Sequence, residues 1–196
     1  MDLLFYIKKA IRIILLNKKV ILEISKDKNA TIPGIIFLSV GFELSLLGET
    51  IQFHRTFSQI IYIIVIYGLI FTVLSLIVTQ ILARLFKGKA QLIHFFRPLG
   101  FVYVLNCLLL LQFIPYHVGE SIIITYGIWS VVLLYKIIKE VYNLNWIKTV
   151  LVIILSGIIL GICYIILMVP AIQLNIFNPE QEFGKELGYL FSKYLI

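Results

Sequence analysis

Five long apolar runs, each bounded by polar residues, constrain the fold of this 196-residue chain more than any other feature. A helix needs about 20 mostly apolar residues to cross the core of a bilayer, within a range of about 17–25. Every run meets that length, so the sequence predicts an all-α bundle of five transmembrane helices. The third and fourth runs are short and flank Pro115, which indicates a tight hairpin, with a re-entrant pair as the alternative. The runs are residues 33–52, 59–83, 98–114, 118–135 and 147–169.

Composition excludes a soluble domain. Hydrophobic residues make up 61% of the chain and charged residues 14%, against about 45–50% and about 25% in soluble proteins. The length suits a single membrane domain. We therefore expect an N-terminal region at 1–32, a five-helix membrane domain at 33–169 and a tail at 170–196.

The distribution of cations predicts the orientation in the membrane. Five spans place the region 1–32, the 84–97 loop and the 136–148 loop on one side, and these contain 14 of the 17 Lys and Arg residues. Cytoplasmic loops are enriched in Lys and Arg, so this side is the inner one. The N-terminus is then inside and the C-terminus outside. The expected partners are the bilayer and its anionic headgroups; no nucleic-acid-binding signature accompanies the net charge of +7.

The region 1–32 contains a helical pattern with separated faces. On a helical wheel Lys8, Lys9, Arg12 and Lys19 share one side, and apolar residues such as Leu4 and Ile11 occupy the other. This pattern is typical of an amphipathic helix lying in the membrane interface. The alternative is a helix packed on the membrane domain.

A carboxylate stands near the middle of the first predicted span. A charged group at mid-membrane costs about 2.5–3.5 kcal/mol or more, so Glu43 is a candidate for function. Residues at a matching depth in the second and third spans, Thr72, Ser75 and Asn106, are its expected partners. The set predicts either a proton or ion site, or a polar clamp between helices.

The remaining features indicate packing. Gly157 and Gly161 have the Gly-xxx-Gly spacing that permits close approach of helices, within the bundle or in a dimer. Cys107 and Cys163 lie within apolar runs and are expected to be packing residues. No nucleophile–base set, phosphate-binding loop or metal-ligand spacing occurs, so we expect no enzyme activity, cofactor or metal.

The boundary of the third run carries a distinctive motif, "FFRPLGFVY". Arg97 is expected at the inner interface facing anionic headgroups. Pro98 is expected at the first helical position, where its missing N–H costs little. Gly100 would allow a neighbouring helix to approach closely.

This motif, followed by "IPYHVGE" and "GIWSVVLLYKIIKEVYNL", resembles the Yip domain family of five-span membrane proteins over roughly 33–169. Bacterial members carry a similar Arg-Pro-hydrophobic-Gly-Phe-Ala-Tyr start to the third span and a Trp in the fourth. The family-motif residues here are Arg97, Pro98, Gly100, Phe101, Tyr103 and Trp129. Val102 and Leu105 depart from the family pattern, which has Ala and Pro there.

The resemblance implies the same five-span, N-inside topology as the charge distribution. The likeness is closest to the cyanobacterial kind. The chain has 37 Ile against 5 Ala, and 13 Lys against 4 Arg, a bias typical of AT-rich genomes. The expected location is therefore a bacterial inner membrane or a plastid membrane. Binding of Rab-type GTPases is not carried over, because this sequence lacks the long soluble N-terminal region of eukaryotic members.

Three hypotheses of function follow. The first is a non-enzymatic, membrane-organising or scaffold protein that associates with other membrane proteins or with itself. The second is a small transporter that uses Glu43 and the polar band around Asn106. The third is an accessory subunit of a larger membrane complex, photosynthetic if the source is a plastid.

Overall fold

The computed structural model describes residues 3–53, 56–113 and 116–173. The described residues form helices joined by short connections, and no strand occurs among them. The α-helices are α1 (Leu3–Ile14), α2 (Lys18–Lys26), α3 (Thr31–Phe53), α4 (Phe57–Ile63), α5 (Thr72–Leu85), α6 (Leu92–Val102), α7 (Tyr116–Tyr142) and α8 (Trp146–Gln173). Three other helical segments are a 3-10 turn (Lys28–Ala30), a π segment (Ile64–Phe71) and a long 3-10 segment (Tyr103–Phe113).

The described residues of each apolar run lie within one helix or one continuous series of helical segments. The second run covers α4, the π segment and α5, and the third covers α6 and the long 3-10 segment. The predicted turn at Pro115 and the tail beyond residue 173 lie outside the described residues. The all-α prediction is therefore confirmed for the described part of the chain.

The helix of the third predicted span, α6, starts earlier than the sequence predicted. α6 begins at Leu92, after Gln91 in an extended conformation, so Pro98 lies inside the helix and not at its first position. Proline removes one backbone N–H, which leaves the carbonyl four residues earlier without its usual donor. The apolar run "LIHFF" continues the helix to the N-terminal side of that position because Phe95 is buried in the core.

The region 1–32 forms two α-helices where the sequence predicted one. Leu16 has a φ of 60°, which ends α1. The Asn17 side chain then accepts a hydrogen bond from the Val20 amide at 3.2 Å and caps α2. The inward faces of the two helices are fully packed, since Ile13 and Ile21 are 0% exposed.

Close backbone contacts hold α3 against the continuous helical stretch formed by α6 and the long 3-10 segment. A Cβ atom added to Gly100 would lie 2.4 Å from the Gly34 carbonyl oxygen, and one added to Gly41 would lie 2.0 Å from the Tyr103 carbonyl oxygen. Glycine at these positions therefore allows the two helices to touch along their backbones. Phe101 lies between the two contacts and is fully buried, with its ring 5.0 Å from that of Phe37.

Two described helical series are long and apolar enough to cross a membrane by length and composition. They are Gln59–Leu85 and Trp146–Ile172, and a shorter apolar helix covers Leu92–Leu108. Large apolar side chains cover their outer surfaces, including Leu69 at 62% and Ile166 at 61% exposure. An exposed apolar surface of this extent is typical of a protein surrounded by lipid.

Candidate functional site

Three cation-rich segments meet at one end of the bundle. Lys18 in α2 forms an ion pair with Glu140 near the end of α7 at 2.8 Å. The connection between α5 and α6 lies at the same end as α2 and the end of α7. Gln80 holds it there, because its side chain donates to the Ala90 carbonyl at 3.1 Å and accepts a hydrogen bond from the Tyr142 hydroxyl. We call this end, formed by α2, the 86–91 connection and residues 136–148, the basic end.

Arg97 attaches the N-terminal helices to the basic end. Its Nε donates to the Thr31 hydroxyl at 2.9 Å, and its Nη1 donates to the Ser25 carbonyl at 2.9 Å. The residue is only 6% exposed, so the prediction that it faces lipid headgroups is wrong. No carboxylate among the described residues pairs with it. The carbonyls of the last turn of α2, which carry partial negative charge, compensate its buried charge.

Trp129 makes a second attachment between the N-terminal helices and the rest of the bundle. Its indole nitrogen donates to the Ile14 carbonyl at the last residue of α1, at 3.1 Å. The family-motif residues Arg97 and Trp129 therefore both bind carbonyls in the last turns of the N-terminal helices. Those carbonyls have no partner within their own helices.

A network of charges reinforces the basic end. Glu140 contacts Lys18 at 2.8 Å and Lys136 at 3.3 Å. Burial raises the pKa of Glu140, but hydrogen bonds from Lys18 and then Lys136 outweigh it, so the pKa lies below its ordinary value. The carboxylate is the charged form that holds α2 on α7. Local sequence did not point to this residue, because its partner Lys18 lies 122 positions earlier.

The outward surface of α1 carries both cations and apolar side chains. Lys8 and Arg12 are exposed, and so are Leu4 at 70% and Ile11 at 51%. Lys9, predicted among the outward cations, is instead 8% exposed and pairs with Glu23 at 2.8 Å. The helix thus packs on the bundle by one face and presents an amphipathic surface with the others.

A second feature is a partly open cavity of about 360 Å³ lined by α5, α6, the long 3-10 segment, α7 and α8. Ser75 and Asn106 line it, as two of the predicted polar residues. The side-chain oxygen of Asn106 accepts a hydrogen bond from the Tyr126 hydroxyl at 2.6 Å. Ser75 donates to the Thr72 carbonyl at 2.8 Å. We call this space the polar cavity.

Glu43 does not belong to the polar cavity. It lines a smaller one of about 230 Å³ between α3 and the π segment, with Ser39, Phe42 and Gly68. The predicted grouping of Glu43 with Ser75 and Asn106 is therefore wrong. No residue of α3 lines the polar cavity, and Glu43 itself is exposed.

Gly157 and Gly161 do not pack against another helix. Both are exposed, and a Cβ atom added to either would meet nothing within 4 Å among the described residues. Packing within the bundle is thus excluded for the described part, and a dimer face stays a prediction. Gly157 also lines the polar cavity.

These features define an α-helical membrane protein with an N-terminal pair of helices attached to its bundle. A family model then gives the family: residues 13–168, about four-fifths of the chain, match the Yip1 domain. The chain belongs to the Yip1 domain family. Searches of curated proteins and of solved structures gave no significant match.

Proposed function

We propose that this chain is a non-enzymatic, multi-pass membrane protein that organises its membrane from the inner face. One observation carries the proposal: α1 and α2 are fixed to the bundle at the basic end while α1 keeps Lys8, Arg12 and apolar side chains exposed. An amphipathic helix of this kind inserts its apolar residues at the headgroup boundary and attracts anionic lipids with its cations.

The proposed topology has five spans, with the N-terminus in the cytoplasm or stroma. Its support is the 14-to-3 distribution of cations and the meeting of the cation-rich segments at one end of the bundle. Reporter proteins fused to each terminus test it: the N-terminal fusion should report the inner compartment and the C-terminal fusion the outer one. Both termini on one side would contradict a five-span arrangement.

The scaffold proposal is tested by purification of the full chain in gentle detergent, with mass spectrometry of bound lipids and proteins. We expect anionic lipids to co-purify, and a Lys8→Gln, Arg12→Gln double variant to retain several-fold less of them. The charge-preserving pair Lys8→Arg, Arg12→Lys is the control and should retain them. A neutral double variant that keeps all its anionic lipid would contradict the proposal.

The same measurement separates the two other hypotheses. A fixed stoichiometric set of bound proteins would favour an accessory subunit and would identify the process. The transporter hypothesis has less geometric support, because Glu43 and Asn106 line separate cavities.

A further inference from the structure

The polar cavity contains a buried hydroxyl that no described residue satisfies. Three of its lining residues are more than nine-tenths buried: Thr79, Asn106 and Ser156 are 6%, 8% and 6% exposed. The Ser156 hydroxyl has no hydrogen-bond partner in the described structure. The Asn106 side-chain oxygen accepts a hydrogen bond from the Tyr126 hydroxyl at 2.6 Å, and its amide group belongs to the lining of the same cavity. A buried donor without a partner costs the full desolvation of that group, so the fold gains from any partner that reaches it.

The position of these groups adds to that cost. Asn106 stands at the middle of the third apolar run, and Ser156 stands near the middle of the fifth. In the proposed topology both lie near the centre of the bilayer, where bulk water is absent. A molecule that dissolves in the membrane can reach this position and supply a partner for the Ser156 hydroxyl.

The walls define the chemistry of that molecule. They are largely apolar, with Phe95, Leu99 and Leu160 among them, and no charged side chain lines the cavity within the described residues. Apolar walls with a few convergent polar groups, in a space of 300–1,000 Å³, are typical of sites for small hydrophobic ligands. The amide nitrogen of Asn106 can only donate, so the ligand must present an acceptor.

Gly157 provides the route of access. It lines the polar cavity and is also exposed on the outer surface of α8. Its missing side chain leaves space that no described atom fills within 4 Å. The cavity therefore communicates with the lipid-facing side of the bundle next to this residue.

We propose that the polar cavity binds a neutral, hydrophobic molecule with a carbonyl group, which enters from the bilayer beside Gly157. The carbonyl oxygen accepts hydrogen bonds from the Ser156 hydroxyl and the Asn106 amide. Two sources supply this chemistry, the ester of an acyl lipid and the ring carbonyl of a quinone. The site is independent of the scaffold function, because it shares no residue with the basic end.

Binding to the purified full chain in detergent micelles tests the proposal. The probes are dioctanoylglycerol for the ester and a decyl-substituted benzoquinone for the quinone, with native mass spectrometry as the readout. We expect one probe to bind saturably at one copy per chain, and the identity of that probe distinguishes the two sources. The proposal is overturned if neither probe binds saturably, which would leave ordered water as the content of the cavity.

Two glycine variants locate the site. Gly157→Phe fills the opening without meeting a described atom at its Cβ and should abolish binding. Gly161→Phe adds the same side chain one turn further along α8, at an exposed position that does not line the cavity, and should bind as the unaltered chain does. Equal binding by both variants would also overturn the proposal.

Ser156→Ala gives a second, independent readout. Because its hydroxyl has no partner in the chain, its removal should leave the melting temperature unchanged or raise it. The same change should weaken probe binding by roughly two- to tenfold, the value of one hydrogen bond. A variant with lower stability and unchanged binding would show that the hydroxyl serves only the fold.

Discussion

The Trp129 indole nitrogen donates a hydrogen bond to the Ile14 backbone carbonyl at 3.1 Å, across 115 positions of the chain. Ile14 is the last residue of α1, so its carbonyl has no acceptor role within that helix. Arg97 acts in the same way on Ser25 in the last turn of α2. Two residues of the family motif thus serve as partners for the C-terminal ends of the N-terminal helices.

Replacing Trp129 with Phe should loosen α1 without unfolding the bundle. The variant keeps an aromatic ring but loses the donor to Ile14, at a net cost of about 0.5–1.5 kcal/mol. Backbone amides in 3–14 should then exchange with deuterium roughly two- to tenfold faster, measured by mass spectrometry. Trp146→Phe is the matched control, because Trp146 is 63% exposed and makes no hydrogen bond among the described residues. Equal effects of the two changes would refute a special role for Trp129.

Replacing Arg97 with Met should destabilise the whole N-terminal attachment. The change keeps an unbranched apolar stem but leaves the Ser25 carbonyl and the Thr31 hydroxyl without their donor. The expected loss is about 1–3 kcal/mol, seen as a lower midpoint of thermal unfolding in detergent. Arg97→Lys should give an intermediate result, because a single ammonium group cannot reproduce the fork of donors.

The exposed Arg12 provides the control for this prediction. Arg12→Met removes the same charge at the surface of α1 and should shift the unfolding midpoint little. A midpoint lowered equally by both changes would indicate a general effect of charge and would contradict the structural role of Arg97.

The positions of the helices could be predicted from the sequence, because burial in lipid requires long apolar runs and these are local features. The start of α6 could not, because Pro98 is compatible with both a first position and an interior one. The choice depends on Phe95 and its core neighbours from other helices. The break at Leu16 was missed for a related reason, since the apolar pattern continues through it.

The polar cavity was predictable only in part. Matching by depth predicted Thr72, Ser75 and Asn106 as partners of Glu43. Only Ser75 and Asn106 line this cavity, because depth does not show which neighbouring helix a residue faces. Tyr126 and Ser156 were missed, since single polar residues in an apolar run have no local pattern. Only the packing of four helical series brings them together.

The close contact of α3 with the long 3-10 segment leaves no space for a side chain at Gly41. A Cβ atom at this position would lie 2.0 Å from the Tyr103 carbonyl oxygen, so Gly41→Ala must push the two backbones apart. Overpacking of this kind costs about 1–3 kcal/mol or more. Gly127→Ala is the control, because a Cβ there meets nothing within 4 Å. Alanine favours a helix over glycine by about 0.8–1.0 kcal/mol, so this control should raise the unfolding midpoint while Gly41→Ala lowers it. Two shifts of the same sign would contradict the contact.

The attachment of α2 to α7 should weaken in acid. The pKa of Glu140 is lowered from its ordinary value of 4.5 in the folded chain, because Lys18 and Lys136 stabilise its carboxylate against the opposing effect of burial. The folded chain therefore binds fewer protons than the unfolded chain in this pH range. The stabilisation is complete above pH 4.5 and is lost as the pH falls through the folded-state pKa. Deuterium exchange of the α2 amides should rise over that range.

Variants at two glutamates show which carboxylate causes the faster exchange of α2 in acid. Glu140→Gln should show fast exchange of α2 already at pH 7, because the two lysines then lack their common partner. Its exchange should change less with pH than that of the unaltered chain, after correction for the intrinsic effect of pH on exchange. Glu23→Gln removes the half-exposed partner of Lys9 and leaves the Glu140 contacts intact, so it should keep the acid response. An acid response that persists undiminished in Glu140→Gln would assign it to another group.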